Sequence, residues 1–66
     1  MINYLYLNRV RQGLTQQQLA SLAGVSRGTV CALEATGRMP SVEVGVRLCR
    51  ALECRFEEVF PVDLLL

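Results

Sequence analysis

One stretch of 20 residues decides how this chain folds. It runs from residue 15 to residue 34 and reads Thr15-Gln16-Gln17-Gln18-Leu19-Ala20-Ser21-Leu22-Ala23-Gly24-Val25-Ser26-Arg27-Gly28-Thr29-Val30-Cys31-Ala32-Leu33-Glu34. Thr15 and Gln18 have the spacing of a capping box, in which each side chain bonds the backbone amide of the other. Gly24 can adopt the left-handed backbone of a tight turn, and Ser26 is a typical N-cap residue. The stretch therefore predicts two short helices joined by a tight turn.

Apolar residues at helical spacing predict how these two helices pack. Leu19, Leu22 and Ala23 are expected on one face of the first helix, and Val30 and Leu33 on one face of the second. The positions left facing outward on the second helix are Arg27, Gly28, Thr29 and Ala32. The exposed N-terminal end of such a second helix docks against base edges in the major groove of DNA. The pattern therefore points to a helix-turn-helix.

Helix signals continue on both sides of this unit. Asn3 can cap a first helix that Gly13 ends, and Pro40-Ser41 opens a fourth helix. A short last helix is expected from about Phe56 to Phe60. These signals predict an all-α fold with five helices. Residues 2–7 also alternate in the manner of a strand, which leaves open a minor strand pair between residues 2–5 and the C-terminal tail.

The composition is that of one globular domain. The 66 residues are 52% hydrophobic and 20% charged, and no run approaches the roughly 20 apolar residues that cross a membrane. We therefore expect residues 1–66 to form a single cytoplasmic domain. Residues 1–41 hold four arginines and one glutamate, whereas residues 42–66 hold three arginines and five acidic residues. Only the first part favours a polyanionic partner.

The cysteines Cys31, Cys49 and Cys54 fit neither a zinc site nor a disulfide framework. Their number is odd, none has C-x-x-C spacing, and the chain has no histidine. We interpret them as small, buried apolar residues in a reducing compartment. No metal, cofactor or small-molecule ligand is predicted. Without a histidine, a cysteine–base pair or a phosphate loop, the chain is not expected to be an enzyme.

The string from Gly13 to Val30 resembles the lambda-repressor-like helix-turn-helix family, also known as the Cro/C1 or XRE type. Leu33-Glu34 and Pro40-Ser41 continue the match. The resemblance extends from about Leu5 to Phe60. It implies a compact five-helix fold, a cytoplasmic location in a bacterium or phage, and repression of transcription by a dimer bound to operator DNA.

The resemblance also implies roles for individual residues. The helix-turn-helix unit is expected at residues 15–34, with residues 26–34 as the recognition helix. The expected base-contacting residues are Arg27, Gly28, Thr29 and Ala32, and the expected phosphate-contacting residues are Gln16, Gln17, Ser26 and Arg38. Arg9 and Glu34 match a pair that forms a buried ion pair between the first and third helices.

Five positions depart from the family pattern. Gly28 has no side chain at a position that usually reads bases, so the operator sequence is not implied. Gly45 stands where an aliphatic residue is usual, and Glu53 and Arg55 stand where glycine and a small cap residue are usual before the last helix. Asn8 replaces an apolar residue of the first helix. None of these departures changes the predicted fold.

The C-terminal end is unusually apolar for so short a chain. We expect residues 55–66 to form a dimerisation region that contains Phe56, Val59, Phe60, Val62 and Leu64, because a large exposed apolar patch is rare in monomers. The expected partners are double-stranded DNA and a second copy of the chain. The alternative is an antitoxin-like or other protein-interaction module, in which the apolar tail binds a different protein and DNA binding is secondary.

Overall fold

The computed structural model of the chain describes residues 3–61. Within this range the chain forms the helices α1 (Leu5–Arg11), α2 (Gln16–Ala23), α3 (Arg27–Thr36), α4 (Val42–Leu52) and α5 (Phe56–Val59). The prediction of an all-α fold is confirmed. None of the described helices is long and apolar enough to cross a membrane.

Short polar side chains begin three of the helices, as the sequence predicts. Thr15 Oγ1 accepts a hydrogen bond from Gln18 N at 3.0 Å, and Gln18 Oε1 accepts one from Thr15 N at 2.8 Å, which completes the capping box of α2. Ser26 and Ser41 accept from the amide three residues ahead at 3.1 and 3.3 Å, at the start of α3 and α4. These bonds satisfy amides that a first helical turn leaves unpaired.

The start of α1 differs from the prediction that Asn3 is its N-cap. Tyr4 holds the N-cap position, while Asn3 Oδ1 accepts from Leu5 N at 3.0 Å. Asn3 Nδ2 donates to the carbonyl of Leu33 at 3.1 Å and to that of Arg38 at 3.0 Å. The Asn3 side chain therefore ties the start of the chain to the end of α3, which is a contact over some thirty residues.

The minor strand pair is not found in residues 3–61. Leu5, at the end of the expected first strand, is fully buried and already helical. Tyr4 N donates to Val59 O at 2.7 Å, so a backbone hydrogen bond joins the start of α1 to α5. Ile2 and residues 62–66, which complete the expected pair, lie outside the described residues.

The core draws on every helix. Eight apolar residues of the described range expose no surface: Leu5, Leu19, Ala20, Val30, Leu48, Leu52, Val59 and Phe60. Leu22 was expected to face this core but is 64% exposed. A helix turns by about 100° per residue, so Leu22 falls to one side of the stripe formed by Leu19, Ala20 and Ala23.

Two residues expected at a dimer interface lie inside the subunit. Val59 and Phe60 expose none of their surface. The prediction that they contact a second copy is wrong for this packing, because so short a chain uses its large apolar side chains in its own core. Phe56 is half-buried, and its ring centroid lies 5.3 Å from that of Phe60. Val62 and Leu64 lie outside the described residues.

The glycine in the middle of α4 has a packing reason. A Cβ atom at Gly45 would lie 2.5 Å from Phe56 Cε2 and 3.2 Å from Pro40 Cγ. The missing side chain therefore leaves room for the Phe56 ring and lets α5 pack closely on α4. This accounts for the absence of the aliphatic residue that the family pattern favours.

Asn8 is buried with its polar atoms satisfied. It is 7% exposed, its Nδ2 donates to Tyr4 O at 2.9 Å, and the Cys54 thiol donates to its Oδ1 at 3.5 Å. A buried amide is tolerated only when such partners are present. The departure from an apolar residue in α1 is therefore matched by Cys54, at the start of the segment leading to α5.

Replacing Glu53 by glycine is expected to stabilise the fold. Glu53 is the C-cap of α4 and has a left-handed backbone, with φ of +57°. A residue with a Cβ atom adopts this conformation at a cost of about 1 kcal/mol, so Glu53→Gly should raise the free energy of unfolding by about 0.5–1 kcal/mol. Urea denaturation followed by circular dichroism measures the change.

Gly37 provides the matched control. It is the C-cap of α3, has φ of +70°, and is already glycine. Gly37→Ala should therefore lower the stability by about 1 kcal/mol. If the urea midpoint of Glu53→Gly were at or below that of the natural chain, the assignment of backbone strain to Glu53 would be contradicted.

Candidate nucleic-acid interface

Helices α2 and α3 form the expected unit of two short helices and a tight turn. Gly24 ends α2 with φ of +72°, and Val25 N donates to Ala20 O at 3.0 Å across the turn. Ala20 exposes no surface, as expected for a small residue where two helices approach closely. Arg47 of α4 donates to Gly24 O at 3.4 Å. The turn is therefore held by its own backbone hydrogen bond and by the side chain of Arg47 from α4.

The N-terminus of α2 lies beside an open cleft of about 490 Å³, whose lining includes Arg9, Gln16, Gln17 and Arg27. The capping box occupies the amide of Gln18. The backbone N–H groups of Gln16 and Gln17 have no acceptor within residues 3–61. Free amides at a helix N-terminus, next to arginine side chains, make a surface suited to an anion such as a DNA phosphate.

The glutamine side chains expected to contact phosphate are both engaged within the protein. Gln16 is half-buried, and its Nε2 donates to Glu34 Oε1 at 3.0 Å. Gln17 is exposed, and its Nε2 donates to Ser21 Oγ at 3.2 Å. Each amide nitrogen carries two hydrogens, so one of each remains for another acceptor.

Ser26 and Thr29 hold the beginning of α3. Ser26 Oγ accepts from Thr29 N at 3.1 Å and lies 2.9 Å from Thr29 Oγ1. The hydroxyl of Ser26 is thus occupied by capping, and that of Thr29 is occupied by Ser26. Thr29 is half-buried, whereas Ser26 is exposed. Their predicted DNA contacts stay predictions, and any contact must share these hydroxyls with the cap.

The outward surface of α3 carries Arg27 and a group of small residues. Arg27 is exposed, and its guanidinium forms no salt bridge within residues 3–61. Gly28 and Ala32 are exposed as well. A Cβ atom at Gly28 would meet only Ser26 Oγ, at 3.8 Å, so the fold does not require glycine there. Arg27 is therefore the one long polar side chain that the exposed first turn of α3 presents.

Arg38 follows α3 and is exposed. Its backbone is fixed from both sides, because Arg38 N donates to Thr36 Oγ1 at 3.2 Å and its carbonyl accepts from Asn3. A cation on an anchored loop is suited to a phosphate. Four of the acidic residues, Glu43, Glu53, Glu57 and Glu58, belong to α4, α5 and their junction.

Arg9 and Glu34 form the expected ion pair between α1 and α3. Arg9 Nε lies 2.6 Å from Glu34 Oε2, and Arg9 Nη2 donates to Glu34 Oε1 at 3.0 Å. Only 11% of the Arg9 side chain and 7% of the Glu34 side chain are exposed. The hydrogen bonds to the carboxylate raise the pKa of Arg9 above its ordinary value. The guanidinium also lies over Tyr6, with 5.2 Å between Cζ and the ring centroid.

The three cysteines lie in different surroundings. Cys49 is buried, and Cys54 is half-buried, but Cys31 is exposed on α3 and corrects the expectation that all three are buried. Burial, with smaller effects of the Cys54 thiol and nearby carboxylates, raises the pKa of Cys49 to about 11. No group of three metal-ligating side chains occurs in residues 3–61.

Comparisons with known proteins agree with this geometry. The helix-turn-helix family model HTH_3 matches residues 5–59. The chain belongs to the Cro/C1-type helix-turn-helix family. The matched range takes in α1–α5, so the family pattern describes the whole arrangement and not the two central helices alone.

Several prokaryotic regulators are similar along most of their length. The chain is 36% identical over 55 residues to the uncharacterized HTH-type transcriptional regulator YgzD of Bacillus subtilis, covering 83% of each chain. It is 40% identical over 57 residues to an uncharacterized HTH-type transcriptional regulator of Methanothermobacter thermautotrophicus, covering 85% of this chain and 83% of the relative. A third, MJ0272 of Methanocaldococcus jannaschii, is 33% identical over 60 residues, with 91% of each chain covered.

The hydrogen bond between Gln16 and Glu34 was not expected from the sequence. The two residues are 18 positions apart, and each was assigned a separate role. Their positions at the first turn of α2 and near the end of α3 could have suggested it, because the Arg9–Glu34 pair already places that carboxylate close to the start of α2.

Proposed function

We propose that this helix-turn-helix regulator is a repressor that binds a pseudo-palindromic operator as a homodimer. The observation that carries the proposal is the shared cleft, which is lined both by exposed Arg27 of α3 and by Gln16 and Gln17, whose backbone N–H groups are free. In this arrangement α3 enters the major groove while the start of α2 meets the sugar–phosphate backbone. A prokaryotic protein acting on DNA in this way works in the cytoplasm.

The contacts divide into those that specify and those that position. Arg27 can form two hydrogen bonds with the O6 and N7 atoms of a guanine. Gly28 and Ala32 allow α3 to approach the bases closely, and Thr29 offers a methyl group to a thymine. The phosphate contacts fall to four residues at the edges of the interface: Gln16, Gln17, Ser26 and Arg38. These fix the orientation of the protein and carry no sequence information.

A homodimer provides two recognition helices about 34–36 Å apart, which fits two half-sites one helical turn apart. The Tyr4 backbone amide donates to Val59 O at 2.7 Å, and the Tyr4 residue is 48% exposed, so an exposed aromatic residue adjoins the predicted dimerisation region. Selection of bound sequences from random duplex DNA tests the operator. Sedimentation equilibrium at micromolar concentration tests the assembly, and the mass of a single 7.4 kDa chain would refute the dimer.

Arg27→Ala is expected to weaken operator binding by about 1–3 kcal/mol and to relax the preference at one base pair in each half-site. The reason is that this arginine is the long polar side chain of the exposed first turn of α3. Fluorescence anisotropy with the selected operator and its single-base variants measures both effects.

Arg50→Ala is the matched control, because it removes the same charge from the exposed surface of α4. It should reduce affinity only slightly, through long-range electrostatics. If Arg27→Ala and Arg50→Ala changed affinity equally and neither altered base preference, Arg27 would not read a base.

A further inference from the structure

One buried carboxylate connects three helices at the proposed interface. Glu34 of α3 accepts from Arg9 of α1 through two hydrogen bonds, of 2.6 and 3.0 Å. Its Oε1 atom also accepts from Gln16 Nε2 of α2 at 3.0 Å. The Glu34 side chain is only 7% exposed, so it lies beneath the surface that Gln16 borders. The Glu34 carboxylate therefore holds a residue of the interface, Gln16, from inside the protein.

The hydrogen bond to Glu34 fixes the orientation of the Gln16 side-chain amide. An ionised carboxylate only accepts hydrogen bonds, so Gln16 must turn its nitrogen, and not its oxygen, towards Glu34. The residue before the N-cap of α2 is fixed as well, because Arg9 Nη1 donates to Leu14 O at 2.8 Å. The first turn of α2 is thus tied to α1 and α3 by side chains as well as by its own capping box.

We propose that Glu34 is a positioning residue, which holds Gln16 and the N-terminus of α2 where they meet a DNA phosphate without itself touching DNA. The proposal rests on the proposed function, in which Gln16 contacts the backbone. A glutamine that is already ordered loses less side-chain entropy when it binds. Because Glu34 belongs to α3, the same bond also fixes the distance between the phosphate contact and the recognition helix.

A double replacement tests this effect. Arg9→Met and Glu34→Leu together remove the acceptor of Gln16 but leave no unpaired buried charge, and they keep the net charge unchanged. The effect of Gln16→Ala on DNA affinity is then measured in the natural chain and in the Arg9→Met, Glu34→Leu chain. Fluorescence anisotropy is used, with the selected operator and with an unrelated duplex.

In the natural chain, Gln16→Ala should weaken binding to both duplexes by about tenfold. In the Arg9→Met, Glu34→Leu chain, the same change should weaken binding less than about twofold, because an unheld glutamine contributes little. Gln17→Ala is the matched control, since the Gln17 amide donates to Ser21 and not to Glu34. Its effect should be the same in both chains.

Equal effects of Gln16→Ala in the two chains would overturn the positioning role while leaving the proposed function intact. No effect in the natural chain would overturn both the phosphate contact of Gln16 and its positioning. Failure of the natural chain to bind any duplex would refute the proposed function itself.

A measurement on the natural chain without DNA is independent of these variants. In ¹⁵N-resolved NMR, the side-chain amide hydrogens of Gln16 should exchange with solvent more slowly than those of exposed Gln17. Equal exchange rates would show that Gln16 is not held by Glu34 and would overturn the proposal.

Discussion

Glu34→Ala is expected to lower the free energy of unfolding by about 3–5 kcal/mol. The change leaves the Arg9 guanidinium, whose side chain is only 11% exposed, without the carboxylate that accepts two of its hydrogen bonds. An uncompensated buried charge is far more costly than the loss of an exposed ion pair. Gln16 loses its acceptor in the same step. Small domains are stable by only about 5 kcal/mol or little more, so much of the variant should be unfolded at 25 °C.

The second ion pair of the described residues supplies the control. Arg47 and Glu43 are four residues apart on α4, and their side chains are 50% and 75% exposed. Glu43→Ala should therefore cost less than about 1 kcal/mol. Urea denaturation followed by circular dichroism compares the two variants. If Glu34→Ala had a midpoint close to that of Glu43→Ala, the Arg9–Glu34 pair would not contribute as a buried pair.

The parts of the fold that depend on neighbouring residues could be predicted from the sequence. The capping box of Thr15 and Gln18, the N-cap of Ser26 and the left-handed turn at Gly24 all arise from contacts within four residues. For the same reason the predicted positions of α2 and α3 agree with the helices in the structure. Arg9 and Glu34 are 25 residues apart, and only the family resemblance, not the local pattern, indicated that they pair.

Contacts between distant parts of the chain could not be predicted in this way. Nothing near Asn3 shows that its amide reaches the end of α3, or that the Cys54 thiol meets Asn8. The sequence identifies Val59 and Phe60 as apolar, but it does not say which apolar surface they join. That choice depends on how closely α5 can pack on α4, to which Gly45 contributes by leaving room for the ring of Phe56.

Phe60→Asp distinguishes a core residue from an interface residue. Phe60 exposes none of its surface and lies against the Phe56 ring. Removing a buried phenylalanine side chain costs about 3–5 kcal/mol, and a carboxylate in the same place adds a desolvation penalty of several kcal/mol. We therefore expect the chain to unfold at 25 °C, with loss of the helical circular dichroism signal, and not to form folded monomers.

Val42→Asp introduces the same charge at an exposed apolar position and serves as the control. Val42 is 76% exposed at the first position of α4, where a negative charge is compatible with the helix dipole. Its free energy of unfolding should stay within about 0.5 kcal/mol of the natural value. Circular dichroism and sedimentation equilibrium are measured on both variants. If Phe60→Asp gave a helical monomer as stable as Val42→Asp, Phe60 would belong to a subunit interface after all, because only an exposed site accepts a carboxylate without loss of the fold.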